Sequence, residues 1–355
     1  MSKIKGNVLN PIDTLEKYGT DALRFALSTG TSPGNDIKLT PSRLEAGRNF
    51  TNKLWNATRF VVRCIEPEGT ELKIQQTFLP VEDRWILSRL SRTVSSVTTL
   101  MEDFQFGEAQ RQIHDFLWGE FCDWYIEIAK IRLRSRKGVI SPVPVLVYVL
   151  ETSLRLLHPY MPFVTEELWQ NLKNHLPPDW QVGESIMVAA YPEAEDAAID
   201  PKAERVMESV IEIIRSIRNA RAQYKVESTR WIEAQIYGGK LTPAIIPYSQ
   251  AVQTLARAKP ITFLDKRQES TPTENALVLV LTETEVIIPM ESMVDLEAER
   301  KRRQKEIEQS QAEVAQLEAR LKDRAFLTRA PAAVVDKERQ KLAAIKDKLE
   351  RLRSA

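Results

Sequence analysis

Cysteine is scarce in this chain. There are two in 355 residues, Cys64 and Cys122, and no C-x-x-C pair. That excludes a disulfide scaffold and a Cys-based zinc site. Histidine is equally thin, with His114, His158 and His175 too scattered to suggest a metal cluster, so no metal is expected. No run of eighteen apolar residues occurs, and the first residues lack the apolar core of a secretory signal. The expectation is a soluble protein of a reducing compartment, most simply the cytoplasm, with no membrane contact. An excess of one charge is missing too: 50 Lys+Arg against 49 Asp+Glu leave a formal net charge of +1. The average gives no sign of a polyanionic partner, so charge has to be counted locally.

What is present supports two or three domains with real cores, since 43% of the residues are hydrophobic. "NPIDTLEKYGTDALRFAL" reads as a turn at Pro11, a helix, a stop at Gly19 and a second helix capped by Thr20 or Asp21. From Pro41 to about Leu176 the pattern is almost wholly helical. Leu44, Phe50 (or Gly47), Leu54, Ala57 and Val61 form one stripe; Trp85, Leu90, Val94, Val97 and Met101 form the next. "FGEAQRQIHDFLWGEFCDWYIEIAKIRLRS" is a third helix, and its Phe121, Trp124 and Tyr125 are expected in the core rather than as an RNA platform. A fourth helix is split near His158-Pro159 and Met161-Pro162. Long helices with short connections imply an antiparallel bundle.

Beyond Pro177 the style changes. A linker leads to a helix at about 200–222, after which "WIEAQIY", "ITFL", "ALVLVL" and "EVIIPM" read as short strands, with a helical stretch at Pro243–Ala258 between them. From Met293 a coiled coil is expected. Met293, Leu296, Ile307, Val314, Leu317 and Leu321 fall on one heptad seam, and Leu342, Ile345, Leu349 and Leu352 on a second. Pro331 breaks the two apart, which points to an antiparallel hairpin. The fold class is thus mainly α: a helical bundle, a small α+β unit, and a C-terminal antiparallel coiled-coil hairpin.

Locally the charge is uneven. Residues 42–63 carry Arg43, Arg48, Lys53, Arg59 and Arg63 against Glu45 alone. Lys130, Arg132, Arg134, Arg136 and Lys137 follow one another without an acid, and residues 301–355 carry a net +6. A helix with Lys and Arg is usually just a solvated face, but three such clusters on rigid elements fit an extended RNA.

Words as well as charges are informative. "YGTDALRF", "PGNDIKL", "RNFTNKLWNATRF", "FCDWYIEIAK", "LLHPYMPFVTEELW" and "FLTRAPAAVVDKERQKL" occur in that order along the whole chain, which resembles the valyl-tRNA synthetase family of class Ia aminoacyl-tRNA synthetases. "NFTNKLWNA" and the terminal F-L-x-x-A-P-x-x-V-V-x-x-E-x-x-K-L pattern point to the valine enzymes rather than to those for isoleucine or leucine. The resemblance gives the opening "MSKIKGN" a meaning. The family's ATP-binding loop reads Lys-Met-Ser-Lys-Ser followed by Lys-Gly-Asn; Met1, Ser2 and Lys3 match its second to fourth residues. Ile4 departs from the final serine, and the first lysine has no counterpart. Lys3 is then the catalytic lysine that stabilises charge on ATP phosphates in the transition state. ATP with Mg2+ is the implied cofactor of the complete enzyme.

The same resemblance divides the chain into the end of a catalytic domain (1–40), an anticodon-binding bundle (41–190), an α+β linker domain (191–292) and a tRNA-binding arm (293–355). Anticodon bases are unstacked and can be read by stacking and amide hydrogen bonds. Asn49, Asn52, Lys53, Trp55, Asn56 and Arg59 suit that task, although the helical pattern favours Trp55 as core. For the tRNA backbone the candidates are Lys130, Arg132 and Arg134, with Arg302, Lys322, Arg329 and Lys341 on the arm. The implied partners are tRNA(Val) and an upstream catalytic part, the whole acting as a monomer. No His-x-Gly-His turn, nucleotide-binding sheet or editing domain is written in these residues, so the chain alone is not expected to activate valine. Two other readings stand beside this one: a non-catalytic RNA-binding protein derived from a synthetase, and a structural coiled-coil protein. Salt-dependent tRNA binding separates the last from the others.

Overall fold

A computed structural model describes residues 10–29, 39–65, 72, 74, 79–134, 140–177, 183–264, 276–293, 296–322 and 340–347; the side chains of 296–306 and 320 are outside the description. Among these residues the chain forms two compact units. The first lies within Met1–Arg215, Gly238–Ala256 and Leu281–Thr284, the second within Ser216–Tyr237, Arg257–Val280 and Glu285–Ala355.

The first unit is helical. It opens with α1 (Pro11–Tyr18) and α2 (Thr20–Ser28), separated by Gly19 at a φ of 90°, where a side chain would be strained. Then come α3 (Pro41–Cys64), α4 (Val81–Glu102) and a continuous helical rod made of α5 (Phe106–Asp115), a π-helical stretch (Phe116–Tyr125) and α6 (Ile126–Arg134). The split expected in the fourth helix is real: α7 (Val143–Leu157) and α8 (Pro162–Lys173) flank a break. The last long helix, α9 (Pro201–Gln223), begins in this unit.

The π-helical stretch has a sequence cause. Ala109, Ile113, Leu117, Phe121, Tyr125 and Ala129 are spaced by four and none is more than 1% exposed. In an α-helix of 3.6 residues per turn, each step of four overshoots a full turn by about 40°. Six such residues would spiral off the core face. The wider turn over Phe116–Tyr125 takes up that drift and keeps all six inward. Phe121, Trp124 and Tyr125 are buried, as expected.

"YGTDALRF" and "LLHPYMPF" turn out to be two halves of one lock. Asp21 accepts hydrogen bonds from the Val164 N–H (2.6 Å) and the Phe163 N–H (3.4 Å), capping the start of α8. Arg24 donates to the carbonyls of Tyr160 (3.1 Å) and Pro159 (3.0 Å), in the break itself. Gly47 on α3 seats this pair, because a Cβ there would lie 2.8 Å from the Ala22 carbonyl oxygen of α2. Further along, Asp200 caps α9 through the Lys202 and Ala203 N–H groups and pairs with Arg84 at 2.5 Å.

The second unit holds the sheet. Strands β1 (Ile232–Tyr237), β2 (Ala258–Leu264), β3 (Ala276–Val280) and β4 (Glu285–Pro289) lie in the order β2-β1-β4-β3. β1 runs parallel to β2 and antiparallel to β4, which is antiparallel to β3. All four are the strands read from the sequence. Ile232, Ala234 and Ile236 alternate inward along β1 and are buried. Between β1 and β2 the chain is helical as expected, with α10 (Thr242–Ile245) and α11 (Ser249–Ala256).

After α12 (Met290–Met293), α13 (Leu296–Lys322) is one unbroken helix. Ser310 and Leu317 are buried and Ile307, Val314 and Leu321 half-buried, a 3-4-3-4 spacing, with Glu313 and Glu318 half-buried beside them. Residues 340–347 are helical, with Leu342 and Ile345 the least exposed. Ion pairs join the two segments: Lys341 to Glu313 (2.8 Å) and Lys346 to Glu318 (2.6 Å). Both pairs advance in the same sense along the two segments. That order does not match the antiparallel sense expected of the hairpin, and residues 323–339, Pro331 among them, lie outside the described residues.

Candidate nucleic-acid interface

The outward face of α3 is the best-formed candidate surface. Its inward stripe (Leu44, Gly47, Phe50, Leu54, Ala57, Thr58, Val61) is buried, and Thr40 and Pro41 start the helix as a capped turn. With the helix fixed on that side, Arg48, Asn49, Asn52, Trp55, Asn56 and Arg59 are exposed at spacings of three and four. They form one continuous stripe. The amides of Asn49, Asn52 and Asn56 make no hydrogen bond among the described residues, and Arg48 and Arg59 make no ion pair there. Trp55 corrects the sequence expectation. It is 41% exposed rather than core, because Leu54 and Thr58 take the inward positions on either side of it.

Lys53 sits apart from the stripe. Its Nζ lies 3.9 Å from the centre of the Trp118 ring and 2.5 Å from Asp123, so its charge is held by the π-helical stretch. Behind it, Phe25, Phe50, His114 and Trp118 form a run of ring contacts, tilted from Phe25 to His114 and stacked between His114 and Trp118. Nothing in the sequence motif announced Trp118 and Asp123 as the seat of Lys53; seventy residues separate the ion pair.

Arg132 is a second correction. Its guanidinium faces inward, hydrogen-bonded to both carboxylate oxygens of Asp83 and 3.1 Å from Glu82. It also donates to the Ile140 carbonyl at 2.7 Å. Tyr125 and Tyr248 add hydroxyl hydrogen bonds to Asp83 (2.8 Å) and Glu82 (2.5 Å). Burial works against the charge of Arg132, but the bonds to Asp83 outweigh it and hold the guanidinium above its ordinary range. With its side chain 9% exposed, Arg132 ties the interior together; its Nε–H makes no hydrogen bond among the described residues but is buried, out of reach of a phosphate backbone.

The remaining candidates divide. Lys130 pairs with Glu127 (2.6 Å) and lies over Phe60, whereas Arg134 is exposed. On the arm, Lys322 is exposed and Lys341 is shared with Glu313. Arg302 lies in α13 with its side chain outside the description; Arg329, Met1, Ser2, Lys3 and Ile4 lie outside the described residues altogether. Among the described residues no cluster of His, Cys, Asp or Glu could hold a metal ion, and no helix is long and apolar enough to cross a membrane.

Three family models match the chain in sequence order. Residues 1–40 match tRNA synthetases class I (I, L, M and V), 83–236 the anticodon-binding domain of tRNA ligase, and 295–355 the valyl tRNA synthetase tRNA binding arm. A helical bundle with one of these segments before it and the other after it defines a part of a class I aminoacyl-tRNA synthetase. Relatives narrow the class. The valine–tRNA ligase of Dehalococcoides mccartyi strain 195 is 53% identical over the whole chain, which covers 40% of that protein. Those of Listeria innocua and Thermotoga maritima are 39% and 37% identical over 96% and 100% of the chain, and 38% and 39% of their own lengths. The chain belongs to the valyl-tRNA synthetase family and spans about 40% of the length of these relatives. A solved ternary complex of Agrobacterium radiobacter K84 agnB2 LeuRS with tRNA and LeuAMS is similar at a TM-score of 0.44 and 22% identity, over 56% of this chain and 23% of that one.

Proposed function

We propose that this chain is the C-terminal, tRNA-recognising portion of a valine–tRNA ligase, which joins valine to tRNA(Val) at the expense of ATP. Working with the upstream catalytic part, as a monomer in the cytoplasm, it would hold the tRNA while the amino acid is activated elsewhere. In this reading residues 41–190 bind the anticodon stem and loop, 191–292 link, and 293–355 brace the tRNA backbone. Residues 1–40 close the catalytic domain, with Lys3 on the phosphates of ATP and its Mg2+.

One observation carries the proposal: among the described residues the α3 stripe offers asparagine amides without hydrogen bonds, an open indole, and two guanidinium groups without ion pairs, that of Arg48 lying 5.7 Å from the Tyr18 ring. Unpaired bases need a stacking surface and hydrogen-bonding groups held in place, and adjoining phosphates need cations. Replacing Asn52 and Trp55 together with alanine should weaken binding of tRNA(Val) and reduce its preference over an anticodon-swapped tRNA. Binding titrations with both RNAs test this. Equal affinity for the two RNAs in the unaltered chain, or an unchanged preference in the variant, counts against an anticodon role for α3.

A further inference from the structure

The second unit carries a cationic surface that neither the α3 stripe nor the arm includes. Between Ser216 and Glu233 stand the cations Arg218, Arg221, Lys225 and Arg230 and the acids Glu227 and Glu233. Pairing of β1 with β2 brings Arg257 and Lys259 beside them: the Ile232 N–H donates to the Arg257 carbonyl at 3.3 Å, and Ile232 is in register with Ala258. The charges therefore converge from two stretches of chain.

Two features make this a built site rather than a solvated face. Arg221 is only 8% exposed, yet its guanidinium meets backbone oxygens alone, those of Arg257 (3.3 Å) and Glu227 (2.9 Å), and no carboxylate among the described residues. A buried, uncompensated cation draws an anion to the surface above it. Lys225 and Arg257 follow on the ends of α9 and α11 with φ of 53° and 55°, ordinary helix-terminating turns that fix where each stretch leaves its helix. Second, the Arg257 guanidinium lies 5.9 Å from the ring centre of Trp231, which is 46% exposed. An indole and a guanidinium side by side offer a stacking face next to a phosphate donor.

We propose that the surface around Trp231 and Arg257 is a separate RNA subsite, which takes one backbone phosphate on Arg257 and stacks the neighbouring unpaired base on Trp231. Arg221 is the positioning residue, fixing both backbone segments and adding positive potential from beneath. The proposal rests on the tRNA-recognition reading but places a contact outside the bundle and the arm.

The test uses the full chain and tRNA(Val) over a salt series. Arg257→Gln should weaken binding about tenfold and lower the slope of log affinity against log salt by about one, as loss of one phosphate contact does. Arg257→Lys should restore the slope. Trp231→Ala should weaken binding about tenfold or more with the slope unchanged, because stacking releases no counterions. Both side chains are exposed, and matching thermal unfolding of the variants would exclude a folding defect. Wild-type affinity and slope in Arg257→Gln and Trp231→Ala, alongside a loss in the α3 variant, overturn the subsite alone. Failure of the unaltered chain to bind any tRNA overturns the tRNA-recognition reading and the subsite with it. Competition by polyglutamate that depends on Arg257 but not on Trp231 would make the surface an acidic-protein contact, and overturn the RNA assignment.

Discussion

Arg132 and Arg59 belong to helices of one bundle, and in the sequence each sits in a cation-rich run. In the structure they do opposite things. Arg59 stands exposed on α3 without an ion pair among the described residues, whereas Arg132 is buried against Glu82, Asp83, Tyr125 and Tyr248. The difference lies in what the rest of the fold brings to each. A Glu-Asp pair opening α4, nearly fifty residues upstream, meets Arg132, while no described carboxylate pairs with Arg59. A run of basic residues thus marks a phosphate site only where the fold leaves the charges unpaired.

Breaking the buried side of that comparison should have the largest effect. Arg132→Met leaves two buried carboxylates without their cation, and removal of one partner of a buried pair costs about 3–5 kcal/mol. Urea unfolding should show a loss of that order, while tRNA affinity measured well below the transition should stay within about twofold. A stable variant with weakened RNA binding would return Arg132 to the backbone-contact set.

On the exposed side the pattern should invert. Trp55→Ala should change stability by no more than about 0.5 kcal/mol, as surface substitutions do. It should cost about 1–3 kcal/mol of tRNA binding if a base stacks on the indole. Loss of stability with intact binding would show that Trp55 is packing surface after all.

The arm sharpens the comparison between reading and holding. Within it, Lys341 and Lys346 join the segment carrying Leu342 and Ile345 to Glu313 and Glu318 of α13, so the two segments lie side by side. Deleting residues 296–355 should weaken binding of cognate and anticodon-swapped tRNAs alike and flatten the salt dependence, because phosphate contacts position RNA without reading it. Met293 is buried against the sheet unit and is best kept. An unchanged salt slope, with the anticodon preference abolished, would reverse the roles assigned to arm and α3.

How much of this was legible beforehand follows from the range of each interaction. Helix stripes and strand alternation are local, so the buried faces of α3 and α4, the break between α7 and α8, and all four strands could be read from periodicity. The π-helical stretch also left a trace, the spacing-of-four run from Ala109 to Ala129, which a 3.6-residue template passes over. The exposure of Trp55 and the burial of Arg132 left none. Both depend on partners fixed only by tertiary packing, as does the Trp118–Asp123 seat of Lys53. Resemblance supplied the candidate site residues as a set; it could not sort the inward ones from the outward ones.

The smallest expected effect concerns the lock between α2 and α8, where a charge is buried for a structural purpose rather than left out for RNA. Burial pushes the Asp21 carboxyl above its ordinary value, against the opposing pull of the Val164 and Phe163 N–H groups and of Arg24 and His158. The folded state therefore holds the Asp21 proton more tightly than the unfolded chain does. The stability that Asp21 contributes is complete below its unfolded pKa, near 3.9, and is lost as pH rises through the folded value. Asp21→Asn removes the titration and keeps an oxygen that can cap α8, since Asn and Asp cap about equally well. Near neutral pH the variant should match the wild type or slightly exceed it. The wild type should gain on it as the pH is lowered toward 4, and urea unfolding of both proteins at several pH values between 4 and 7 measures the difference. A wild-type advantage that grows with rising pH would mean that the ionised carboxylate is the favoured form, with Arg24, His158 and the start of α8 outweighing burial.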